Sequence, residues 1–498
     1  MVEYRRDYLQ NRLLQNILRR EYTTQRLGRG VTVIEKIIRT TNDTLYSYVL
    51  IILLAAGGIT FTVCTRFAQF RLLGRQFKAV TEKTDGAGVS SFQALMVSTA
   101  SRVGTGNIIG VATALCMGGF GSVFWMWVIA VIGAASAFIE STLAQIYKKR
   151  GYNGCYGGPA YYIEAATKRK WPAVLFAVLL ILTYGLGFNM LASYNLQATF
   201  SSYRFYNETY TPWIIGGIIA VLTAYCLIGG GKRLLSVTGF LVPIMGALYI
   251  AVAIVVSVIN FKMLPTVLKE IFADAFDLKA IFGGFSGSCV MYGIKRGLFS
   301  NEAGVGSAPN ASASAEVSHP AKQGLVQMLS VFIDTIVVCT ATAFMCMTSG
   351  VTPPSSSDQA AVYVQQALNT ALGGGGPVFI TVDMVLFAFT TLLGNLFYVD
   401  KAILYLCGKE PDKTVRNAYY VVASLVIFAG AGLSADLLWS VADILMGGMT
   451  VINMPVILYL GRYAIRALND YEKQLRSGKT ITFKAEDIGL PHETDYWQ

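Results

Sequence analysis

The chain has 498 residues, of which 54% are hydrophobic and only 14% are charged, and its mean hydropathy is +0.51. A water-soluble chain of this size would carry about 25% charged residues. The composition therefore excludes a soluble globular protein and predicts a polytopic membrane protein. The net charge of +11 does not call for a nucleic-acid partner, because basic residues concentrate in the loops beside apolar segments.

Cysteine and histidine usage gives no sign of a metal centre. None of the eight cysteines forms a C-x-x-C pair, and most lie in apolar segments, where cysteine behaves as a small apolar side chain. The two histidines, His319 and His492, lie outside the predicted membrane spans. We therefore expect neither a histidine metal site nor an organic cofactor.

Apolar stretches predict an all-α membrane protein with eleven transmembrane helices. Each stretch is close to the roughly 20 residues that cross a bilayer, apart from a short tenth one. The predicted spans are residues 45–66, 90–117, 121–147, 171–199, 212–228, 235–258, 280–301, 324–349, 377–398, 418–431 and 437–460. Residues 1–44 are polar and rich in arginine, and residues 9–18 fit either an amphipathic helix on the membrane surface or a solvated tail.

Basic residues in the loops predict how the chain is oriented in the membrane. Most lysines and arginines between the spans follow odd-numbered spans, whereas the loops on the other side hold only Arg204, Lys262, Lys269 and Lys279. Basic loops tend to stay in the cytoplasm. We therefore expect a multi-pass protein of the cell membrane (plasma or inner), with the N-terminus outside and the C-terminal tail in the cytoplasm.

The second span is predicted to break in its middle. Its sequence VSTASRVGTGNIIGVATAL covers residues 97–115 and contains Arg102, Gly104 and Gly106. Each glycine costs a helix about 1 kcal/mol relative to alanine, and an arginine at membrane depth is expensive. An unwound segment at 103–106 would free carbonyls for a cation and present N–H groups to an anion. The alternative is a glycine-rich face that lets another helix approach.

The remaining spans form two sets of five once the first is set aside. The leading span of the second set is interrupted at 283–287, as the leading span of the first set is at 103–106. Short helices are expected at matching places, 158–166 and 357–371. Each set has an odd number of spans, so the two sets would have opposite orientations in the membrane. Paired broken helices in such inverted repeats indicate a secondary transporter with a substrate site near the middle of the membrane.

This symmetry divides the chain into five parts. They are a polar N-terminal extension at 1–44, a peripheral helix at 45–66, a first repeat at 90–258, a second repeat at 280–460 and a tail at 461–498.

Long motifs make the chain resemble the alanine or glycine:cation symporter family from about Leu45 to Arg466. They are ASRVGTGN (100–107), FWMWVIAVIGAASAFIESTLAQIYK (124–148), GGPAYYIE (157–164), KRGLFSNEAGVGSAPNASASAEVSHPAKQG (295–324), FIDT (332–335), FAFTTLLGN (387–395) and MGGMTVIN (446–453). The resemblance implies a leucine-transporter-like fold that carries small amino acids with sodium, sometimes with protons.

The resemblance also implies a sodium site. Its ligands would be the carbonyls of Ala100, Val103 and Phe387 and the hydroxyls of Thr390 and Thr391. Sodium is a hard cation that prefers oxygen ligands, which agrees with this set. Two neighbouring threonines can instead bond back to carbonyls four residues earlier, but beside a broken helix the sodium interpretation is favoured.

The substrate is expected between the two breaks. By the same resemblance its carboxylate meets the N–H groups at the start of the second half-helix, and its ammonium meets freed carbonyls. The expected substrate positions are Gly104, Thr105, Gly106, Asn107, Asn189, Gly284, Ser286, Gly287 and Ser288. Ala192 and Tyr194 stand where the family commonly has Gln and Asn, which leaves the exact substrate open.

Ionisable residues within the spans need partners. We expect Arg102 to pair with Asp334 or Glu140 and to hold the broken helix in register. The alternative is that Asp334 or Glu140 serves directly in cation coupling.

Together these features predict a sodium-coupled symporter that imports alanine or glycine by alternating access, and not an enzyme. Its partners would be the amino acid, the co-transported sodium ion and the lipid bilayer, with no nucleic acid. The alternatives are a sensor or channel on a transporter scaffold and a proton-coupled carrier of a larger neutral amino acid. The sequence gives no protein partner.

Overall fold

The computed structural model describes residues 33–82, 88–151, 154–277, 288–478, 480–490 and 494–498. These residues form helices and one short antiparallel hairpin of strands Lys149–Gly151 and Gly154–Tyr156. The α-helices are Val33–Thr44, Leu50–Cys64, Ala68–Arg71, Leu73–Thr81, Ser91–Arg102, Val111–Gly118, Gly121–Ile146, Pro159–Thr167, Lys170–Leu180, Phe188–Ala198, Thr211–Ile228, Gly230–Ile259, Leu264–Ala275, Cys289–Asn301, Pro309–Ser314, Pro320–Val331, Thr340–Met347, Ala360–Leu372, Gly375–Cys407, Lys413–Gly430 and Ala435–Ser477.

Several of these helices continue through wider, π-helical turns. Such turns occupy Leu45–Val49, Gly106–Gly110, Ile181–Gly187 and Phe332–Cys339. Short 3₁₀ turns lie at Phe261–Met263, Ser357–Gln359 and Ala485–Ile488.

Eight continuous helices in the described ranges are long and apolar enough to cross a membrane. They are Thr40–Cys64, Gly121–Ile146, Lys170–Ala198, Thr211–Ile228, Gly230–Ile259, Pro320–Met347, Gly375–Cys407 and Ala435–Ser477. The other three predicted spans fall on the broken helix, on helix Cys289–Asn301 and on Lys413–Gly430. The chain is thus a mostly helical, multi-pass membrane protein, while the count of eleven and the two inverted repeats stay predictions.

The helix boundaries differ from the predicted ones at both ends of the chain. The first helix of the described ranges, Val33–Thr44, continues into the predicted first span without a loop. The last helix runs from Ala435 to Ser477, well past residue 460. Polar residues at helix ends carry no hydropathy signal, although the backbone hydrogen bonds continue through them. The surface helix considered at 9–18 lies outside the described residues.

Glycines allow the central helices to approach closely. A Cβ on Gly293 would lie 2.6 Å from the Ser122 carbonyl, and one on Gly324 would lie 2.2 Å from the Thr142 hydroxyl. Both neighbours belong to helix Gly121–Ile146, which is therefore packed on several sides. By contrast, Gly230–Ile259 exposes Ile254, Val255 and Val258, as a lipid-facing helix would.

The C-terminal segment packs against the end of helix Gly121–Ile146. The indole of Trp497 donates to the Gln145 carbonyl over 2.7 Å, and Lys148 Nζ lies 3.9 Å from the centre of the Tyr496 ring. Lys148 also donates to the Ala315 carbonyl at 3.0 Å. Burial lowers the pKa of Lys148 to about 8.

Candidate functional site

The broken helix interrupts its hydrogen-bond ladder at Val103 and Gly104. Helix Ser91–Arg102, the first half-helix, ends at Val103, whose ψ of 83° is not helical. The Gly104 N–H donates to Asn107 Oδ1 over 2.9 Å, whereas in a continuous helix it would donate to Ala100. The Ala100 carbonyl is thereby released from its usual helical partner. The chain becomes helical again from Gly106 to Gly118, the second half-helix.

The break packs directly against helix Gly375–Cys407, which we call the threonine helix. A Cβ on Gly104 would lie 2.1 Å from the Thr391 hydroxyl oxygen. One turn further along, a Cβ on Gly394 would lie 2.5 Å from the Ser101 nitrogen. Glycine at these two places lets the unwound backbone and the threonine side chains touch.

Both threonine hydroxyls bond back to their own helix. Thr390 donates to the Leu386 carbonyl at 2.9 Å, and Thr391 donates to the Phe387 carbonyl at 2.7 Å. The back-bonding alternative is therefore realised. It does not compete with cation binding, because a hydroxyl that donates its proton keeps lone pairs for a cation.

Asn107 has a different role from the predicted one. Its backbone N–H donates to the Gly104 carbonyl at 3.0 Å, so this group is not free to meet a substrate carboxylate. Its side-chain amide donates to Asp334 Oδ1 at 2.7 Å. Asn107 therefore closes the break and fastens it to the helix that carries Asp334.

The surroundings of the second half-helix are aromatic on one side. A Cβ on Gly106 would lie 2.6 Å from the Phe299 ring, which packs 4.5 Å from Phe188 and 4.8 Å from Trp439 between ring centres. Thr105 accepts a hydrogen bond of 3.1 Å from the Asn195 amide.

The remaining expected substrate positions are only partly described. Asn189 is buried, and its Oδ1 accepts a hydrogen bond of 3.0 Å from the Asn395 amide. Its own Nδ2 has no hydrogen-bond partner in the described chain. Ser288 caps helix Cys289–Asn301 by accepting a hydrogen bond of 3.3 Å from the Met291 N–H. Gly284, Ser286 and Gly287, with the whole interruption at 283–287, lie outside the described residues.

Arg102 does not form the predicted direct ion pair. Its Nη1 donates to the Gln327 amide oxygen at 3.0 Å, and no carboxylate of the described chain lies within 4.0 Å of it. Each expected partner is engaged elsewhere. Glu140 accepts a hydrogen bond of 3.0 Å from the Asn453 amide. Asp334 accepts hydrogen bonds from Asn107, Ser300 and Thr335. Arg102 and these carboxylates still interact electrostatically at longer range.

Sequence reasoning missed one buried ion pair and one buried carboxylate near the break. Arg296 and Asp443 form an ion pair of 2.7 Å, and the guanidinium lies 4.0 Å from the centre of the Trp439 ring. Glu302 is 1% exposed and ends helix Cys289–Asn301 in a left-handed conformation, with φ of 51°. The signal for Glu302 was a single acid among small residues in NEAGVGSAPNASASA, residues 301–315.

A broken helix seated on a hydroxyl-bearing helix in an apolar bundle is the arrangement of a secondary transporter. The crystal structure of MhsT in complex with L-phenylalanine superimposes with a TM-score of 0.51 at 16% identity, covering 82% of this chain and 92% of that one. The likeness shows that the chain has a leucine-transporter type of fold.

The sequence assigns the family within that class. Residues 31–485 match the sodium:alanine symporter family, and the chain belongs to it. It is 40% identical over 463 residues to the amino-acid carrier protein AlsT of Bacillus subtilis, covering 93% of this chain and 97% of AlsT. The probable sodium/glutamine symporter GlnT of the same organism is 39% identical over 471 residues, covering 93% and 96%. The protein is thus a transporter and not an enzyme, and the family match begins before Leu45, where the resemblance was expected to start.

Proposed function

We propose that the protein is a sodium-coupled symporter that imports alanine or glycine by alternating access. The observation that carries this proposal is the contact between the unwound backbone at Gly104 and the Thr391 hydroxyl. In a member of the sodium:alanine symporter family, a released carbonyl at Ala100 beside two threonine hydroxyls is a suitable oxygen environment for sodium.

A cation at this place would couple to the substrate through the backbone. Ala100, Val103, Phe387, Thr390 and Thr391 are the proposed ligands, and they come from two separate helices. A sodium ion that joins them would hold the break in one conformation and so order the N–H groups that follow it. Such coupling is reciprocal, so the substrate tightens sodium binding by the same factor.

The substrate carboxylate is proposed to meet the N–H groups of Thr105 and Gly106, at the positive end of the second half-helix. Gly104, Asn189 and Ser288 are proposed to border this place, and Gly284, Ser286 and Gly287 are proposed to offer carbonyls to the ammonium group. Phe299 packs closely on Gly106, which favours a small side chain. The proposed orientation has the N-terminus outside and the tail in the cytoplasm of the cell membrane, and an inward sodium gradient across that membrane would drive inward transport.

The test is uptake of radiolabelled alanine into proteoliposomes that contain the purified protein. We expect accumulation above the external concentration with an inward sodium gradient, and none with potassium in its place. Uptake that only equilibrates would contradict symport and favour a channel, and binding without uptake would favour a sensor.

A second candidate is a carrier of a larger neutral amino acid, driven by protons. Ala192 and Tyr194 replace the usual residues beside Asn189, and a relative is named as a probable sodium/glutamine symporter. Both observations concern the size of the substrate and not the coupling ion. Competition of alanine uptake by a panel of D- and L-amino acids, with sodium or with a pH gradient alone, separates the two candidates.

A further inference from the structure

Glu302 lies in a buried cluster of oxygen-bearing side chains beside the break. Its Oε2 accepts a hydrogen bond of 2.5 Å from the Ser307 hydroxyl, and its Oε1 accepts one of 3.2 Å from the Ser101 hydroxyl. The Ser101 hydroxyl also lies 2.7 Å from Asn395 Oδ1. One carboxylate with hydroxyl and amide oxygens is a donor set for a hard cation.

Two phenol groups face the same cluster. The hydroxyls of Tyr184 and Tyr398 are buried and interact electrostatically with Glu302. Tyr184 lies close to Ser307 and Glu302, and Tyr398 close to Ser101, but neither hydroxyl reaches full hydrogen-bond geometry with a described residue. Buried polar groups normally have partners. Their unmet hydrogen-bonding capacity points to something bound among these side chains.

Glu302 forms no ion pair within 4.0 Å with a described residue. Arg102 interacts electrostatically with the carboxylates of Glu140, Glu302 and Asp334, and it forms no ion pair within 4.0 Å with a described residue. An ionised Glu302 therefore has no counter-charge at contact distance among the described residues. Unpaired charge at membrane depth is expensive, and bound cations would relieve it.

The ligand set fits a monovalent cation better than a divalent one. In the ranges that the structure describes, no group of three or more His, Cys, Asp or Glu side chains is placed to hold a metal ion. Glu302 brings a single negative charge, and its neighbours in the cluster are neutral. The charge of the site therefore matches that of one sodium ion.

The cluster is also next to the sodium site proposed above. Asn395 follows Thr391 by four residues, which is about 6 Å along one face of the helix. Ser101 follows Ala100 directly. The same two elements, the broken helix and the threonine helix, would thus line both places.

We propose that Glu302, Ser101, Ser307 and Asn395 bind a second sodium ion, distinct from the one at Thr390 and Thr391. The inference rests on the proposed function, because it assumes that sodium is the coupling ion. The second ion would neutralise Glu302 and hold the residues after helix Cys289–Asn301 against the broken helix.

The test counts sodium ions bound to the purified full-length protein. Equilibrium binding of radioactive ²²Na⁺ in detergent is compared for the wild type, Glu302→Gln, the double variant Thr390→Ala/Thr391→Ala and Glu410→Gln, an exposed control. We expect two ions per protein in the wild type and in the control, and one in each of the other two variants.

Ser307→Ala is a second variant that keeps the Glu302 carboxylate. It tests the site even if Glu302→Gln does not fold. It should weaken the affinity of one of the two ions about tenfold, as the loss of about 1.4 kcal/mol would, with an unchanged gel-filtration profile. Glu302 faces Arg102, Glu140, Tyr184 and Tyr398, so binding is measured at several pH values with the sodium concentration fixed.

The outcomes separate the two proposals. A wild type that binds no sodium would overturn the proposed function itself. A wild type that binds one ion, lost in the threonine variant and kept in Glu302→Gln and Ser307→Ala, would overturn only the second site. Loss of substrate-driven proton uptake in Glu302→Gln, without loss of a sodium ion, would show that Glu302 takes a proton and would equally overturn the sodium assignment.

Discussion

At the scale of single residues, the threonine hydroxyls do two things at once. Thr391 donates its proton to the Phe387 carbonyl at 2.7 Å and presents its oxygen to the backbone of Gly104. The sequence offered these as alternatives, back-bonding or sodium binding. The structure makes them compatible, because the back-bond fixes the rotamer that directs the oxygen lone pairs toward the break.

Replacing Thr391 by valine tests this arrangement. Valine keeps the shape but loses the oxygen, so the sodium concentration for half-maximal alanine uptake should rise about tenfold, equivalent to about 1.4 kcal/mol. The measurement is initial uptake rate against sodium concentration in proteoliposomes. Thr391→Ser keeps the hydroxyl and should stay within about twofold of the wild type. Equal sodium dependence in all three proteins would remove Thr391 from the site.

Asn107 and Arg102 show where single-residue reasoning stops. The position of each was correctly recognised as unusual, yet their partners were not predictable. Asn107 bonds to Asp334, 227 residues away, and Arg102 bonds to Gln327, 225 residues away. A buried polar group can be satisfied by any donor or acceptor that the fold brings within reach, and local sequence does not identify which one.

At the scale of helices, function depends on how closely two of them approach. The first half-helix meets the threonine helix at Ser101 and Gly394, where an added Cβ would lie 2.5 Å from one backbone atom and 3.0 Å from the next. Backbone atoms cannot rotate away as a side chain can. The two helices would therefore have to separate to admit even one methyl group.

Gly394→Ala should accordingly lower both stability and coupling. Overpacking of this kind costs about 1–3 kcal/mol, so we expect a lower melting temperature in detergent and a loss of most sodium-driven uptake. Gly448→Ala is the matched control, because its Cβ would meet Leu179 at an ordinary 3.6 Å. A Gly394→Ala protein with normal melting and normal sodium dependence would show that the close contact is dispensable.

The helix pattern itself was largely predictable. Long apolar runs and glycine interruptions are local properties, so most spans, the break at Gly104 and the short helices Pro159–Thr167 and Ala360–Leu372 were expected. Helix Pro309–Ser314 was not, because its six small residues carry no periodic apolar signal. Its place follows from tertiary contacts, including the bond of 2.5 Å from the Gln145 amide to the Ser312 carbonyl.

At the scale of the whole molecule, the C-terminal tail closes over one end of the bundle. Trp497 packs on Phe483 with 5.3 Å between ring centres, and Arg466 donates to the Ile488 carbonyl at 3.1 Å. Lys148 is enclosed between the tail and the Ala315 carbonyl. Docking of the tail therefore requires burial of an amine.

This burial predicts a pH dependence of tail docking. Below pH 8 the Lys148 amine is protonated whether the tail is docked or released. Over this whole pH range, docking therefore carries the free-energy cost of burying a charged amine. Because burial lowers the pKa of Lys148 to about 8 against an ordinary 10.5, the docked form loses its proton first, and docking should strengthen as the pH rises from 8 to 10.5.

Limited proteolysis of the full-length protein with a protease active at alkaline pH measures this effect. Release of the tail should slow severalfold between pH 8 and 10. In Lys148→Met the amine is absent, so the slowing attributable to it should vanish. Arg169→Met changes an exposed basic residue and should behave as the wild type does. An identical pH profile in the wild type and Lys148→Met would refute the prediction.

By itself the sequence determined the class of the protein, the place of the break and the family. Hydropathy, helix-breaking glycines and long motifs are each properties of a short continuous segment. Only the tertiary structure decided which buried polar groups meet. Ser101 reaches Asn395 across 294 residues, and Glu302 joins them from a third element. Such contacts depend on the packing of helices far apart in the chain, so they follow from the fold as a whole and not from any one segment.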